Sequence, residues 1–324
     1  MLKVGLIGLG FMGTQHANCY KNIPGVELAA LADIRVENAK ALAEGTNAVV
    51  YSSGEELIEK ADVDIIDICL PTYLHACHAL KAMDKVKYLF VEKPVALTAE
   101  ECDAMLAKSK ETGCQVQVGL VIRFWEEYVE MAKLVKSGKY GSVVNANFRR
   151  ISPRPTWGWE NWLLDAKLSG GSAQDMHIHD IDFVLSMFGE PEKFYTVKNS
   201  KGETNSYVNT LMQYSDFPVT VEGTWGLPTT HPFEASFRVV MEEATLELSG
   251  GNLYVYTDAG VEQVEIQKEE VAGESFEGGN ISDLGAYYNE LVYFCDKAKK
   301  QEAVDIASLA DGVSSLKFLL NEIK

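Results

Sequence analysis

Three glycines near the amino end, Gly8, Gly10 and Gly13, constrain the fold of this 324-residue chain. They follow the apolar run from Lys3 to Leu9 and precede the helical pattern from Phe11 to Asn22. Gly8 permits a tight turn, Gly10 lets a ligand approach the backbone, and Gly13 allows a helix to pack closely on a strand. The spacing predicts a strand, turn and helix whose helix amino terminus faces the pyrophosphate of a dinucleotide.

Apolar runs and helical patterns continue to alternate beyond this turn. We expect strands over residues 26–32, 64–70 and 88–91, and helices over residues 36–43 and 73–83. Thr98 and Glu101 form the capping-box signature of one further helix. Strands that alternate with helices at this spacing predict an α/β domain with a doubly wound parallel sheet over residues 1–120.

The acidic residue Asp33 ends the second predicted strand, 20 positions after Gly13. A carboxylate there accepts hydrogen bonds from the ribose hydroxyls of NAD and repels the 2′-phosphate of NADP. Arg35 could meet that phosphate, or it could be an exposed residue at the start of the next helix. The sequence therefore predicts NAD as cofactor and leaves NADP possible.

The pattern changes after Gly119. Segments with a period of two occupy residues 206–214, 219–225, 253–256 and 261–266, with no helical pattern between neighbouring ones. This spacing predicts an antiparallel sheet within an α+β domain over residues 121–324. The last segment, residues 284–324, has a helical pattern and is expected to pack against one domain or to bridge both.

Composition excludes several classes of partner. Hydrophobic residues make up 47% of the chain and charged residues 23%, as in ordinary globular proteins. Because 47 acidic residues outnumber 29 basic ones, the net charge of -18 disfavours nucleic acid and anionic membranes as partners.

The six cysteines form no CxxC pair, which predicts a reducing, cytoplasmic location. We find no signal peptide and no apolar stretch of membrane-spanning length, so a soluble protein is expected.

Lys93 lies in the triplet Glu92-Lys93-Pro94, directly after the apolar run of residues 88–91. The carboxyl end of a strand in an open α/β sheet faces the ligand crevice, and Pro94 keeps Lys93 out of helical conformation. An ammonium group there can hydrogen-bond a reacting oxygen and stabilise its developing negative charge. The alternative, a solvated lysine in a turn, fits these residues equally well.

A double glycine, Gly170-Gly171, opens a second polar segment. An angle of about 100° per residue places Asp175, His179 and Asp182 on one face of a helix. Histidine suits the removal of a proton from an alcohol near neutral pH, whereas the alternative is a solvated polar face. The opposite face, which we expect to be buried, is apolar: Ile178, Ile181, Val184, Leu185 and Phe188.

His177 falls nearer the apolar side of this helix, which indicates a hydrogen-bonded structural histidine. In a helix His177 and His179 are about 200° apart and cannot face one ion. We therefore predict no metal site.

Further candidates are cationic or aromatic. Arg123 follows the last strand predicted in the first domain, where it could recognise hydroxyl or carboxylate groups or only brace the domain junction. Trp157, Trp159 and Trp162 precede the double glycine. Indole faces suit the C–H face of a sugar ring, but tryptophans are as often core or interface anchors.

Together these motifs resemble the glucose-fructose oxidoreductase and inositol dehydrogenase family, written Gfo/Idh/MocA. The resemblance rests on the Gly8 turn, Pro71-Thr72-x-x-His75, the Glu92 triplet and the pattern Gly-Gly-x-x-x-Asp-x-x-x-His that begins at Gly170, and it covers essentially the whole chain. It implies a Rossmann domain, an open-faced antiparallel sheet that forms homodimers or homotetramers, and oxidation or reduction of sugars and cyclitols with NAD or NADP.

The resemblance also implies roles for individual residues. The catalytic residues would be Lys93, Asp175 and His179. The cofactor-binding residues would be Gly8, Gly10, Phe11, Met12, Gly13, Asp33, Arg35, Pro71, Thr72, His75, Glu92 and Lys93. The substrate-binding residues would be Lys93, Arg123, Trp157, Trp162, Asp175 and His179. Here His177 stands where the family more often has glycine, which narrows the pocket and makes transfer of substrate specificity unsafe.

Three functions fit the sequence. The leading one is an NAD-dependent dehydrogenase acting on a secondary hydroxyl of a sugar, glycoside or cyclitol. The second is a glycosidase that retains NAD and acts by transient oxidation and elimination. The third is a catalytically silent NAD-binding regulator.

Overall fold

The computed structural model describes residues 1–200, 206–268 and 284–323. The helices are α1 (Phe11–Asn22), α2 (Val36–Ala43), α3 (Gly54–Lys60), α4 (His75–Ala82), α5 (Ala99–Thr112), α6 (Glu126–Lys136), α7 (Ala166–Ser169), α8 (Ile178–Phe188), α9 (Gly285–Lys300) and α10 (Leu309–Glu322). The strands are β1 (Leu2–Ile7), β2 (Val26–Ala32), β3 (Val49–Tyr51), β4 (Ile65–Ile68), β5 (Tyr88–Val91), β6 (Gln115–Val118), β7 (Val143–Pro153), β8 (Lys193–Ser200), β9 (Ser206–Gln213), β10 (Pro218–Leu227), β11 (Glu234–Met241), β12 (Thr245–Ser249), β13 (Asn252–Thr257) and β14 (Gly260–Gln263).

The described residues form two compact units. The first contains residues 1–121, 157–163 and 284–316, and the second contains residues 122–156, 164–268 and 317–323. The boundary predicted after residue 120 lies one residue from the first crossing of the chain between units. The segment 157–163 and the helix α9, which follow that boundary in sequence, belong to the first unit, and α10 contributes residues to both.

The first unit is built on six parallel strands in the order β3-β2-β1-β4-β5-β6. This confirms the predicted doubly wound sheet. The chain reverses its direction of winding between β1 and β4, and ligands of such sheets bind outside the carboxyl ends of the strands at this point. The Gly8 turn follows β1 and Lys93 follows β5, so both lie at that edge.

Apolar burial holds the helices of the first unit on its sheet. Tyr20 of α1 and Phe294 of α9 are fully buried in the same cluster as Leu6 of β1. The predicted capping box of α5 is also present, since the Glu101 amide donates to the Thr98 hydroxyl and the Thr98 amide donates to the Glu101 carboxylate.

The second unit is built on eight strands in the order β14-β13-β12-β11-β7-β10-β9-β8. Its neighbouring strands are antiparallel except β7 and β10, which are parallel. The sheet is thus mostly antiparallel, as predicted, and the parallel pair of β7 and β10 is an addition that the spacing does not predict. Parallel neighbours need a long connection, and the chain between β7 and β10 supplies one that includes α8, β8 and β9.

One face of this sheet is buried and the other, which we call the open face, is accessible. Val219 and Val221 of β10 point to the buried face, in agreement with the predicted alternation. On the open face, Tyr195 is 71% exposed and Val197 54% exposed, while Arg149 pairs with Glu222 at 3.0 Å. No described helix combines the length and the apolarity needed to cross a bilayer.

Candidate active site

The glycine turn has the geometry that its spacing predicts. Gly8 has a φ of +88°, a left-handed conformation that favours glycine. A Cβ atom on Gly13 would lie 1.8 Å from the Gly8 carbonyl oxygen, whereas one on Gly10 would meet nothing closer than an Arg35 nitrogen at 4.0 Å. Gly13 therefore permits the close packing of α1 on the turn, and Gly10 leaves open space above it.

The amino terminus of α1 borders this open space. Gly10 caps the helix without a side-chain hydrogen bond, and the first turn contains no acidic residue. The amides of Phe11, Met12 and Gly13 belong to the first turn, where backbone N–H groups have no partner within the helix. These donors and the positive end of the helix dipole fit a pyrophosphate.

Asp33 is fixed at the end of β2, beside the turn. One carboxylate oxygen accepts the Leu9 amide at 2.7 Å, and the other accepts the Arg35 amide at 2.7 Å and the Arg35 Nε at 3.3 Å. Each carboxylate oxygen has two lone pairs, so Asp33 can still accept a ribose hydroxyl. The side chain of Arg35 therefore pairs with the Asp33 carboxylate and does not extend away from it.

Pro71 and Thr72 follow β4 at the same edge of the sheet. Thr72 is buried, and among the described residues its hydroxyl has no hydrogen-bond partner. A buried hydroxyl without a partner is costly, and a bound nucleotide would supply one. The residues of this edge thus fit a dinucleotide.

His75 is buried and braces two loops. Its Nδ1 lies 2.8 Å from the Pro94 carbonyl and its Nε2 lies 2.7 Å from the Leu70 carbonyl. Burial lowers the pKa of His75 against the effect of these two carbonyls. Both ring nitrogens lie at hydrogen-bond distance from backbone carbonyls, so His75 has a structural role in this turn. Direct contact of His75 with the cofactor stays a prediction.

Lys93 lies in a turn whose neighbouring residues are buried. It is the only residue of the run 88–96 that is not buried. Its amide donates to the Glu92 carboxylate at 2.9 Å, and the Lys93–Pro94 peptide bond is cis. The carboxylate of Glu92 packs on Gly119, where a Cβ atom would lie 2.9 Å from Glu92 Oε2. The Lys93 side chain therefore emerges from a fixed backbone.

The aromatic segment before the double glycine belongs to the first unit. The ring centroids of Trp157 and Phe11 are 4.9 Å apart, and the Arg35 guanidinium lies 6.0 Å from the ring centroid of Trp159. Trp157 and Trp159 are 38% and 36% exposed, so neither is a core anchor. Trp162 is partly buried. The structure thus brings Trp157 next to the glycine turn, and contact of Trp157 or Trp162 with substrate stays a prediction.

In the second unit, the predicted catalytic pair occupies a π-helical turn and the helix that follows it. The π-turn spans Ala173–His177 and continues into α8. Gly170 and Gly171 both have positive φ, 75° and 71°, which gives the sharp entry that the sequence suggests. Within the run 171–184 only Asp175 and His179 are not buried. The chain therefore exposes just these two side chains along an otherwise buried segment.

Asp182 does not share this accessible face, contrary to the sequence-based expectation. Its carboxylate accepts two hydrogen bonds from Arg123, from Nε and from one terminal nitrogen, both at 2.8 Å, and its side chain is 1% exposed. Asp180 is likewise buried, and its Oδ2 lies 2.8 Å from the Nε of Arg150. Buried ion pairs thus replace the solvated polar face at Asp180 and Asp182. The π-turn, which ends at His177, changes the spacing of 100° between Asp175 and His179 that the prediction assumes. Arg123 braces α8, and its contact with substrate stays a prediction.

His177 is a structural histidine, as predicted. Its ring is fully buried and its Nε2 lies 2.9 Å from a Glu322 carboxylate oxygen. Gly223 of β10 makes room for this ring, since a Cβ atom there would lie 2.6 Å from His177 Nδ1. This contact joins α10 to the π-turn within the second unit.

Sequence reasoning missed a buried polar cluster in the first unit. His16, Asp67 and Cys69 bring potential ligand atoms within 4.8 Å of one another. Hydrogen bonds already link these atoms: His16 Nδ1 lies 2.8 Å from Asp67 Oδ2 and 3.3 Å from Cys69 Sγ. The three residues are spread over residues 16–69 in apolar segments, so no local motif marks them.

Two family models match the chain. The model described as an oxidoreductase family with an NAD-binding Rossmann fold matches residues 2–120, and the GFO/IDH/MocA C-terminal domain matches residues 128–247. The chain belongs to the Gfo/Idh/MocA family. Its first unit is accordingly an NAD-binding Rossmann domain of an oxidoreductase family.

Individual relatives agree with this assignment. The chain is similar to myo-inositol 2-dehydrogenase of Thermotoga maritima, with 30% identity over 192 residues that cover 58% of this chain and 55% of the relative. It is also similar to 2,7-anhydro-N-acetylneuraminate hydratase of Escherichia coli, with 29% identity over 196 residues that cover 59% of this chain and 50% of the relative. The chain thus spans about half the length of these curated relatives.

Solved structures share the fold at low identity. A levoglucosan dehydrogenase in complex with NADH superposes with a TM-score of 0.85 at 21% identity and covers 99% of this chain and 96% of its own. The apo scyllo-inositol dehydrogenase of Lactobacillus casei superposes with a TM-score of 0.78 at 21% identity and covers 99% of this chain and 94% of its own. At this identity the likeness concerns the fold alone.

Proposed function

We propose that the protein is an NAD-dependent dehydrogenase that oxidises a secondary hydroxyl of a sugar, glycoside or cyclitol. The observation that carries this proposal is the selective exposure of three side chains. Lys93 is the accessible residue of a buried turn, and Asp175 and His179 are the accessible residues of a buried helical segment. Inside the family, these are the positions that the resemblance identifies as catalytic.

Each of the three residues has a distinct task in this proposal. When bound, NAD accepts a hydride from the carbon that bears the hydroxyl. His179 accepts the hydroxyl proton, for which an imidazole is suited near neutral pH. The Lys93 ammonium hydrogen-bonds the reacting oxygen and stabilises its developing negative charge. Asp175 orients the imidazole and the substrate.

The preference for NAD over NADP rests on Asp33. Its carboxylate is held close to the glycine turn by Leu9 and Arg35, where a 2′-phosphate would meet negative charge. Arg35 is engaged with Asp33 at 3.3 Å, so its guanidinium is not presented alone to a phosphate.

Relatives support the class of substrate. The names of the Thermotoga relative and of the two solved structures concern inositols and an anhydrosugar. We extend this class to the present chain and propose that residues 1–120 bind nucleotide and residues 121–324 supply most substrate contacts. Arg123, Trp157 and Trp162 are the proposed substrate contacts beyond the three catalytic residues.

The decisive experiment follows NADH formation with excess NAD across inositols, free sugars and glycosides. A dehydrogenase accumulates NADH in proportion to the substrate consumed. His179→Asn should lower kcat by about 100-fold or more, the range that general base catalysis contributes, while the affinity for NAD is unchanged. Tight NAD binding without NADH formation from any compound would contradict the proposal.

A second candidate is chemistry without net oxidation, in which NAD is reduced and reoxidised within one turnover. One observation favours it, namely that a relative at 29% identity is named a hydratase. The NAD-retaining glycosidase is a reaction of the same kind. Conversion of many equivalents of substrate with one equivalent of NAD and no accumulated NADH would favour this candidate over the dehydrogenase.

We further propose that the open face of the second unit forms a homodimer or homotetramer. Tyr195 and Val197 are large apolar residues that solvent reaches on this face, and burying them would be favourable. Replacement of Tyr195 by glutamate should dissociate the oligomer in light scattering, and an unchanged mass would contradict the assignment.

The free cysteines, which are buried except for Cys77, support a reducing, cytoplasmic location.

A further inference from the structure

The Glu92 carboxylate, which holds the Lys93 amide, is itself held by a histidine from another element. His16 of α1 places its Nε2 3.1 Å from Glu92 Oε1, and both side chains are buried. At this distance the two atoms form an ion pair, although their alignment is not that of a hydrogen bond. The other ring nitrogen, Nδ1, lies 2.8 Å from Asp67 Oδ2. The imidazole is therefore placed between two carboxylates.

This arrangement favours a charged imidazole. Burial alone would lower the pKa of His16, but negative charge at Cys69 and Asp67 raises it well above its ordinary value. Burial also raises the pKa of the Cys69 thiol. Burial alone would raise the pKa of Glu92, but the contact with His16 lowers it. The ring thus lies between two carboxylates, each within 3.1 Å of one of its nitrogens.

Further titratable groups of the described residues lie around the ring. Burial and the negative charge of Glu92 raise the pKa of Glu290 well above its ordinary value. The Tyr20 hydroxyl donates to the same Asp67 oxygen at 2.9 Å, and Tyr287 lies 6.4 Å from the ring. Within the described part of the chain, the titratable groups that face His16 are Asp67, Cys69, Glu92, Glu290, Tyr20, Tyr287 and Cys19.

We propose that His16 is a positioning residue for Lys93: its ring holds the Glu92 carboxylate, and that carboxylate fixes the backbone from which the Lys93 side chain emerges. Gly119 leaves room for the Glu92 carboxylate in this position. The effect of His16 on turnover rests on the function proposed above. Its effect on the Lys93 backbone does not, so the two can fail separately.

His75 provides a matched comparison because it contacts the other side of the same turn. Its Nδ1 lies 2.8 Å from the Pro94 carbonyl and its Nε2 2.7 Å from the Leu70 carbonyl, so both ring nitrogens lie on backbone carbonyls and not on carboxylates. A variant at His75 therefore removes a contact with a carbonyl of the turn and leaves the Glu92 carboxylate in place, whereas a variant at His16 removes the ring that lies between Asp67 and Glu92.

The test follows the Lys93 amide proton by NMR in uniformly labelled protein, together with the nitrogen shifts of the histidine rings. A proton donated to a carboxylate resonates far downfield, and in His16→Gln and Glu92→Gln it should move upfield. His75→Gln should leave it within the native range. In the native protein, the Lys93 amide and the His16 ring nitrogens should change with one common midpoint as the pH is raised. This last measurement needs no variant.

Kinetics then separate positioning from general stability. His16→Gln should lower kcat by about 10–100-fold, the loss expected when a catalytic group is displaced by about 1 Å, with KM for NAD and the NAD dissociation constant unchanged. A Lys93 amide that does not respond in His16→Gln, and that does not follow His16 in the native titration, would overturn the inference. A responding amide in a protein that turns over no substrate would retain the inference on the backbone and refute only the proposed function.

Discussion

Replacing Arg123 with methionine should destabilise the second unit strongly, because the guanidinium is the bidentate partner of a buried carboxylate. Arg123 is 11% exposed and Asp182 1% exposed, and the two hydrogen bonds between them are both 2.8 Å long. Removing one partner of a buried ion pair leaves the other charge without its counter-ion in a poorly solvated place.

The magnitude follows from that burial. Breaking a buried pair costs about 3–5 kcal/mol, whereas exposed pairs contribute about 0–1 kcal/mol. For a folding unit of 150–250 residues each kcal/mol corresponds to about 2–4 °C in Tm. Arg123→Met should therefore lower the Tm of the second unit by roughly 6–20 °C.

Calorimetry of Arg123→Met, Asp182→Leu and the double variant measures this effect. Since apolar side chains of similar volume replace buried ion pairs at little cost, the double variant should recover most of the stability lost in each single variant. Lys133 of α6, which pairs with Glu130 at 3.0 Å with 67% of its side chain exposed, is the control, and Lys133→Met should change Tm by less than about 4 °C.

The reasoning would be refuted by an Arg123→Met protein with native Tm. Such a protein with a raised KM for substrate would show that the arginine contacts substrate and does not brace α8. A double variant as unstable as the sum of the two single variants would show that the pair itself contributes little.

Three further predictions concern the first unit. Gly13→Ala should abolish NAD binding in calorimetric titration and lower Tm, because its Cβ atom would lie 1.8 Å from the Gly8 carbonyl oxygen; native affinity would contradict this. Asp33→Asn should raise kcat/KM with NADP relative to NAD by about tenfold or more, since a tenfold change needs only 1.4 kcal/mol, and an unchanged ratio would show that Asp33 does not discriminate. Cys69 and Asp67 raise the pKa of His16 in the folded protein, against the effect of burial. The stabilising contribution of His16 is therefore complete below the pKa of about 6.5 that it has in the unfolded chain, and it is lost as the pH rises through the folded-state pKa. The difference in Tm between native protein and His16→Gln should shrink only at alkaline pH, and a difference that shrinks between pH of about 5 and 6.5 would contradict this sign.

Local patterns predict the first domain well. The bounds expected for the first helix, 11–22, the second strand, 26–32, the second helix, 36–43, and the strand 88–91 are those observed. Glycine spacing, apolar periodicity and capping residues are properties of a few neighbouring residues. The strands of a parallel sheet are also easy to locate, because each of them is a short apolar run.

Long-range pairing explains what the sequence does not reveal. Asp182 has the spacing of a polar face, but Arg123, 59 residues earlier, buries it. His16 of α1 and Glu92 after β5 pair across 76 residues, and no local pattern links the two positions. The π-turn before α8 and the parallel pairing of β7 with β10 likewise depend on packing that periodicity does not encode.

The catalytic role of Lys93 can be measured as NADH formation by the native protein and by Lys93→Met. Both are assayed at saturating NAD with the best inositol, sugar or glycoside. Lys110→Met, a variant of an exposed lysine at the end of α5, is the matched control. We predict that the native protein and the Lys110 variant form NADH at equal rates, and that the Lys93 variant binds NAD normally but is slower by about 100-fold or more. Equal rates in all three proteins would contradict the assignment of Lys93 and the dehydrogenase mechanism built on it.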